Sequence, residues 1–320
     1  MPRLLPVYLS LGLGVLLLLA PFLLDDWRIA QLAQFLTYGL FALSLAFIWG
    51  QAGILCFGQA IFFGVGAYLM ALVMLDMLPG MGSSQWTGML LAVLGGGVAA
   101  FLVGLFLFGG RGLSGAHLAI VTLCAAVVIE IAARRWDFIG GFNGLLGVPP
   151  LVVPFEREDP FMTSVETYFL VLAFATAVYL LLLWISRSSF GTLLAAIRSN
   201  EDRTRFFGFA VARAKLAAFV LSGMIAALSG ALFTAQFGFV SPPLIGFGLS
   251  TEVLIWVAVG GREVLLAALV GAILVRWVEN LLSDTLGQYW LLTMGLIFVF
   301  VVIFAPRGVF GRILDLPNRR

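Results

Sequence analysis

TGMLLAVLGGGVAAFLVGLFLF, Thr87 to Phe108, decides the class of this chain. It holds no charged residue, and it is long enough to cross a hydrocarbon core about 30 Å thick, which takes about 20 residues of helix. In water such a run would have nothing to solvate its outer face. Nine further stretches read the same way: Leu4–Leu24, Ala30–Trp49, Phe57–Leu75, Leu113–Ala133, Val165–Ile185, Ala214–Phe237, a short one at Leu249–Val259, Val264–Leu282 and Trp290–Ala305. The whole chain has 320 residues, of which 62% are hydrophobic and 11% charged. Its mean hydropathy is +1.10. Soluble domains carry about 25% charged residues. The expectation is an all-α integral membrane protein of about ten spans, or eight if a short stretch is re-entrant, forming one transmembrane domain over 1–320.

Charge orients these spans. With the N-terminus inside, Arg28, Arg134, Arg135 and Arg157 fall in outside loops and Arg276 falls within a span. The other thirteen of the 18 Lys and Arg residues lie in inside loops, as the positive-inside rule requires. Asp25, Asp26, Asp137, Glu156, Glu158 and Asp159 sit outside. Both termini are therefore expected in the cytoplasm. The first stretch has no A-x-A site after it, only Asp25-Asp26-Trp27, and reads as a retained helix rather than a cleaved signal.

Composition also excludes much chemistry. Two cysteines, Cys56 and Cys124, and one histidine, His117, allow neither a disulfide framework nor a multi-His or zinc site. The single lysine, Lys215, precedes Leu216, so no phosphate-binding loop of the G-x-x-x-x-G-K-[ST] type can be written. No catalytic constellation is readable. Charge this sparse is not that of a nucleic-acid binder.

The longest inside loop, residues 186–215, reads SRSSFGTLLAAIRSNEDRTRFFGFAVARAK. Leu193, Leu194 and Ile197 recur at helical spacing, and Gly208 can end a helix. This predicts an interfacial amphipathic helix, or a rigid element that docks into a partner's groove, or a solvated basic loop that only fixes orientation.

Here the sequence resembles a family. The run from Ala196 to Gly208 is similar to the A-x-R-x-N-E…G coupling segment of ABC importer permeases of the branched-chain amino acid LivM type. GILCFGQAIFFGVGAY (Gly53–Tyr68), GGFNGLLGVPP (Gly140–Pro150), FVSPPLIGFGLSTEVLIWVAVGG (Phe239–Gly261) and FAPRGVFG (Phe304–Gly311) resemble further blocks of that family, in the same order. Gln59 stands where the family has His, and Cys56 where it has Ser. Gly260-Gly261-Arg262 and the R-x-x-F-x-G run Arg203–Gly208 are similar to the urea-transporting branch.

The resemblance implies a permease subunit in a bacterial inner membrane. It implies a second homologous permease, two cytoplasmic ATPase subunits that hold ATP and Mg, and a periplasmic solute-binding protein, with no cofactor in this chain. Coupling to the ATPase would fall on Phe190, Leu194, Ile197, Arg198, Asn200, Glu201, Arg203, Arg205, Phe206 and Gly208. The solute would be a branched-chain or other amino acid, urea or a short amide. The rival is an ion-coupled secondary transporter, which needs a midplane carboxylate, whereas Glu130, Glu252 and Glu279 all read as lying near span ends. A passive channel would show a repeated half-helix, and no duplicated block is visible in the sequence.

Polar residues inside spans are costly unless paired or lining a cavity. Gln51, Gly58, Gln59, Asn143, Ser250 and Glu252 are the candidates for the translocation path. Each has a structural counterpart reading. Gly58 and Gln59 could serve helix packing, Asn143 a turn, and Ser250-Thr251-Glu252 the N-terminal turn of a helix. Glu130–Arg134 (i,i+4) and Arg276–Glu279 (i,i+3) read as structural ion pairs.

Overall fold

The computed structural model describes residues 5–80, 82–109, 115–153 and 161–289, with isolated positions up to 308. Most of the Trp290–Ala305 stretch and both chain ends lie outside the described residues. The helices are α1 (Leu5–Leu23), α2 (Asp26–Ala52), α3 (Gln59–Met74), α4 (Gln85–Phe108), α5 (Gly115–Arg134), α6 (Ser164–Arg187), α7 (Ser189–Ser199), α8 (Glu201–Phe206), α9 (Val211–Phe237), α10 (Phe247–Gly260) and α11 (Leu265–Leu286). Among the described residues six helices are long and apolar enough to cross a membrane: α2, α4, α5, α6, α9 and α11. α1, α3 and α10 are apolar but carry shorter described spans. A two-stranded antiparallel ribbon, Leu145–Leu146 on Phe239–Val240, closes one end of the bundle. α7 and α8 close the other.

Two helices form the axis. α2 and α9 run antiparallel through the centre, and polar side chains fix their register. Ser222 Oγ donates to Ser44 O at 2.7 Å, and Ser229 Oγ donates to Thr37 O at 2.7 Å. Each axial helix ends on a left-handed glycine, Gly53 (φ 70°) after α2 and Gly238 (φ 70°) after α9, whose N–H closes the last turn. Only glycine reaches that conformation without cost. The first continues as non-helical chain to Gly58 and the second through the Phe239–Val240 strand and a 3-10 turn at Pro242–Ile245, and each restarts as a short helix, α3 or α10.

The packing repeats accordingly. α4 packs on α3 and α9, and α11 packs on α10 and α2. The units α2–α3–α4 and α9–α10–α11 are therefore one architecture used twice in opposite directions. The sequence shows no duplicated block to match it. The duplication lies in backbone and packing and leaves no trace in residue identity. It is a transporter architecture as well as a channel one.

Glycines permit the close approaches. A Cβ on Gly66 would overlap the Ala227 backbone, and one on Gly230 would overlap Phe63 O. In a bilayer, where lipid is as apolar as the helix faces, such contacts supply much of the association. Phe41, Phe63, Phe233, Tyr38 and Trp256 fill the space between α2, α3, α9 and α10 with edge and tilted ring contacts. At α6 a capping box, with Thr163 accepting from Glu166 N and Glu166 from Thr163 N, sets the start.

Gly230→Val should therefore cost at least about 2 kcal/mol through overpacking, read as a lower thermal midpoint in detergent. Gly248→Ala, where a Cβ meets nothing within 4 Å, should stay within about 1 kcal/mol of the parent protein.

Candidate functional site

The residues of the 186–215 loop form an elbow rather than one helix. α7 ends and α8 begins on Asn200, whose side chain accepts from Arg203 N at 2.9 Å. Gly208 (φ 87°) follows the elbow in the left-handed region. The apolar face of α7 does not lie in lipid. Leu194 and Ile197 are buried against α2, α6 and α9, and Phe190 is half-buried. This corrects the interfacial reading, and the chain's own helices supply the apolar partner.

Charged groups bolt the elbow down. Arg198 donates to Gly50 O at the end of α2 and pairs with Glu263 in the α10–α11 turn. Glu201 pairs with Lys215 at the start of α9 and with Arg205 at 3.1 Å. Arg262 lies over Trp49, 5.2 Å from its ring centre, tying the same turn to α2. A cleft of about 210 Å³ remains beneath, lined by Gly53, Leu55, Leu118, Ile197, Asn200 and Lys215. The expected coupling residues thus divide. Leu194, Ile197, Arg198 and Glu201 face the bundle, while Arg203, Arg205 and Phe206 face away from it. Phe206 is 91% exposed, beside exposed Phe207 and Phe209.

The expected path residues divide too. Gln59 is fully buried at the start of α3, and its Nε2 donates to Ser44 Oγ at 2.9 Å and Ser222 Oγ at 2.8 Å. It joins α2, α3 and α9, and its Oε1 is buried without a hydrogen-bond partner. Gly58 is a close-packing site, since a Cβ there would press on Thr122 O at 2.6 Å. Ser250 is fully buried and accepts from Ala60 N at 3.1 Å, satisfying an orphan donor in the first turn of α3. Thr122, which the sequence did not single out, does the same for Phe57 N at 3.1 Å. Asn143 is exposed in the turn before Leu145, and Gln51 is half-buried in the last turn of α2. Glu130 and Arg134 form their expected i,i+4 pair.

Glu252 differs from its expected place. α10 begins at Phe247 with Gly246 as its cap, so Glu252 lies in the second turn and caps nothing. Its carboxylate is 3.9 Å from Arg276 Nη1, which donates to Glu279 at 2.7 Å. The Arg276–Glu279 pair therefore forms as read, with Glu252 as a third member. The Arg276 guanidinium lies 4.3 Å from the ring centre of Tyr38. Among the described residues no group of three His, Cys, Asp or Glu is placed to hold a metal.

A bundle of apolar helices with broken spans at its centre and a bolted elbow at one end is a membrane permease architecture. The family model for the permease component of branched-chain amino acid transport systems matches residues 28–303. The chain belongs to that family and is a multi-pass permease of the inner membrane. It is 30% identical over 324 residues to the high-affinity branched-chain amino acid permease LivM of Escherichia coli K12, covering 94% of this chain and 74% of that one. It is 29% identical to LivM of Salmonella typhimurium over 90% of this chain and 71% of that one. A shorter match, 36% over 104 residues, links it to the autoinducer 2 import permease LsrC of Klebsiella pneumoniae, over 31% of this chain and 30% of that one. No solved structure matches the chain significantly.

The Gln59 geometry makes a discriminating prediction. Both serine hydroxyls keep their own donor bonds when the amide is removed, so Gln59→Met should change stability by less than about 1.5 kcal/mol. Transport should stay within about twofold of the parent protein in reconstituted vesicles. A tenfold loss at unchanged thermal midpoint would return Gln59 to the path.

Proposed function

We propose that this chain is one transmembrane subunit of an ATP-driven ABC importer for a small polar solute, a branched-chain amino acid in the first instance. Its expected companions are a second homologous permease, two cytoplasmic ATPase subunits that bind ATP and Mg, and a periplasmic solute-binding protein. The observation that carries the reading is the α7–α8 elbow. Its inner side is fastened to α2, α9 and the α10–α11 turn, and its outer side presents exposed aromatic and basic groups.

Exposed large aromatics at the tip of a basic element suit a groove on a partner protein. In this reading the ATPase grips Phe206 and its neighbours. A movement of the ATPase pair then shifts the elbow as a rigid body. Arg198 and Glu201 pass that shift to the ends of α2, α9, α10 and α11, opening the bundle to one side or the other. The solute is unchanged chemically. Orientation follows the positive-inside count, with the elbow in the cytoplasm. Relatives named as branched-chain amino acid permeases over most of both chains favour an amino acid over urea.

Native purification tests the assembly. The tagged chain should bring down two ATPase copies, a second permease and a binding protein, identified by mass spectrometry. A chain that purifies alone and drives ion-coupled uptake in liposomes would overturn the importer. Phe206→Ala tests the elbow. It should leave stability within about 0.5 kcal/mol, as for an exposed site, while ATPase co-purification falls at least tenfold. Retained ATPase binding would move the contact elsewhere.

A further inference from the structure

Among the described residues, α10 and α11 share a charged cluster. Arg276 lies at the middle of α11, and Glu279 is one turn further on. At 1.5 Å per residue Glu252 lies about 12 Å from the elbow-side end of α10 and about 8 Å from its other end, within a helix packed against α2 and α11. Glu279 is nine-tenths buried and fully engaged with Arg276. Glu252 is held less firmly. Its side chain is 41% exposed, and 3.9 Å from Nη1 is ion-pair distance but not a hydrogen bond. Arg276 Nε is buried with no partner, so the guanidinium keeps donor capacity in reserve. Tyr38 and Trp256 stack on the guanidinium, at 4.3 and 5.7 Å, and fix its plane.

A half-exposed carboxylate midway along an apolar helix is incompatible with lipid contact, because a charge facing hydrocarbon costs several kcal/mol. The face of α10 and α11 that carries it must therefore look onto water or onto polar protein. Gly248, on the same side of α10 one turn earlier, has nothing within 4 Å of its Cβ position. That open side leaves room for a ligand beside the carboxylate.

We propose that Arg276 and Glu252, positioned by Glu279 and Tyr38, form the site that receives the charged head of a zwitterionic α-amino acid during translocation. The proposal rests on the importer reading and deepens it. The solute's carboxylate would take a planar donor pair from Arg276, and its ammonium would take Glu252. The two would exchange for the long Arg276–Glu252 contact, so the net charge of the site is the same with and without solute. A neutral amide such as urea gains neither ion pair.

The test uses the complete importer in proteoliposomes, with leucine and urea as probes. Glu252→Gln and Arg276→Gln should each lower ATP-driven leucine uptake at least tenfold. Arg276→Lys, which keeps the charge but loses the planar pair, should recover only part. In a Cys124→Ser background, Glu252→Cys should react with a membrane-impermeant cationic thiosulfonate, and leucine but not urea should slow the reaction. Uptake within twofold in both Gln variants, or a position 252 inert to label, would overturn the proposal. Labelling needs no ATP. A wild-type complex without ATP-driven uptake defeats the importer reading, whereas intact uptake with an inert position 252 defeats this one alone.

Discussion

The fold depends on satisfying backbone that leaves the helix inside the membrane. Phe57 and Ala60 lie where the chain re-enters helix among packed spans, so their N–H groups must find a protein acceptor or cost several kcal/mol. Thr122 takes the Phe57 N–H and Ser250 takes that of Ala60. These two hydroxyls come from α5 and α10, far away in sequence, and they are why the two broken spans must meet. The meeting point is tight: a Cβ at Gly64 would overlap Ile245 in the turn leading to α10. Small residues and short hydroxyls thus do the same work, letting backbones touch and then pairing their polar atoms.

The elbow end answers a different need. Apolar packing alone lets a short helix slide, whereas directional bonds define where it sits. Arg198 reaches a backbone carbonyl of α2 and a carboxylate of the α10–α11 turn, and Glu201 reaches Lys215. The part-exposed Arg198–Glu263 pair contributes little stability, about 0–1 kcal/mol, whereas Lys215 is buried and its pair with Glu201 is costly to break. Their value is mechanical. They connect α7–α8 to both inverted units at once, which is what the proposed rigid-body coupling requires.

Much of this was legible beforehand and some was not, for physical reasons. Spans were readable because hydropathy records the solvent of each segment, and α4, α5, α6 and α9 fall within three residues of the expected bounds. α2 begins earlier, at Asp26, because a helix can carry polar residues in its first turn. The i,i+3 and i,i+4 ion pairs were readable because one helix fixes their distance. Gln59, Ser250 and Thr122 were not, since a polar residue in a span either lines a path or pairs with another helix, and only tertiary packing decides. The elbow was hidden for a similar reason. Asn200 can cap one helix or interrupt another, and here its position between two short helices does both. The inverted repeat was invisible because it conserves directions and close approaches, not residues.

The repeat carries one further consequence. α4 and α11 occupy equivalent places, yet they are built differently. α4 has no charged residue from Gln85 to Phe108, it meets α9 through Gly96, Gly97 and Gly104, and its outer face is Leu90, Leu94, Val98, Phe101 and Leu105. That face is made for lipid tails. α11 carries Arg276, Glu279 and Asp284, and its partner α10 carries Glu252. Since architecture is shared, the difference is not imposed by packing. One flank of the molecule is finished as a membrane surface, and the other carries the half-exposed carboxylate of Glu252 alongside exposed Phe247, Leu274 and Trp277. In a permease a polar flank is tolerable only beside water or another subunit, so the asymmetry between two like units supports the solute site proposed at Arg276 and Glu252.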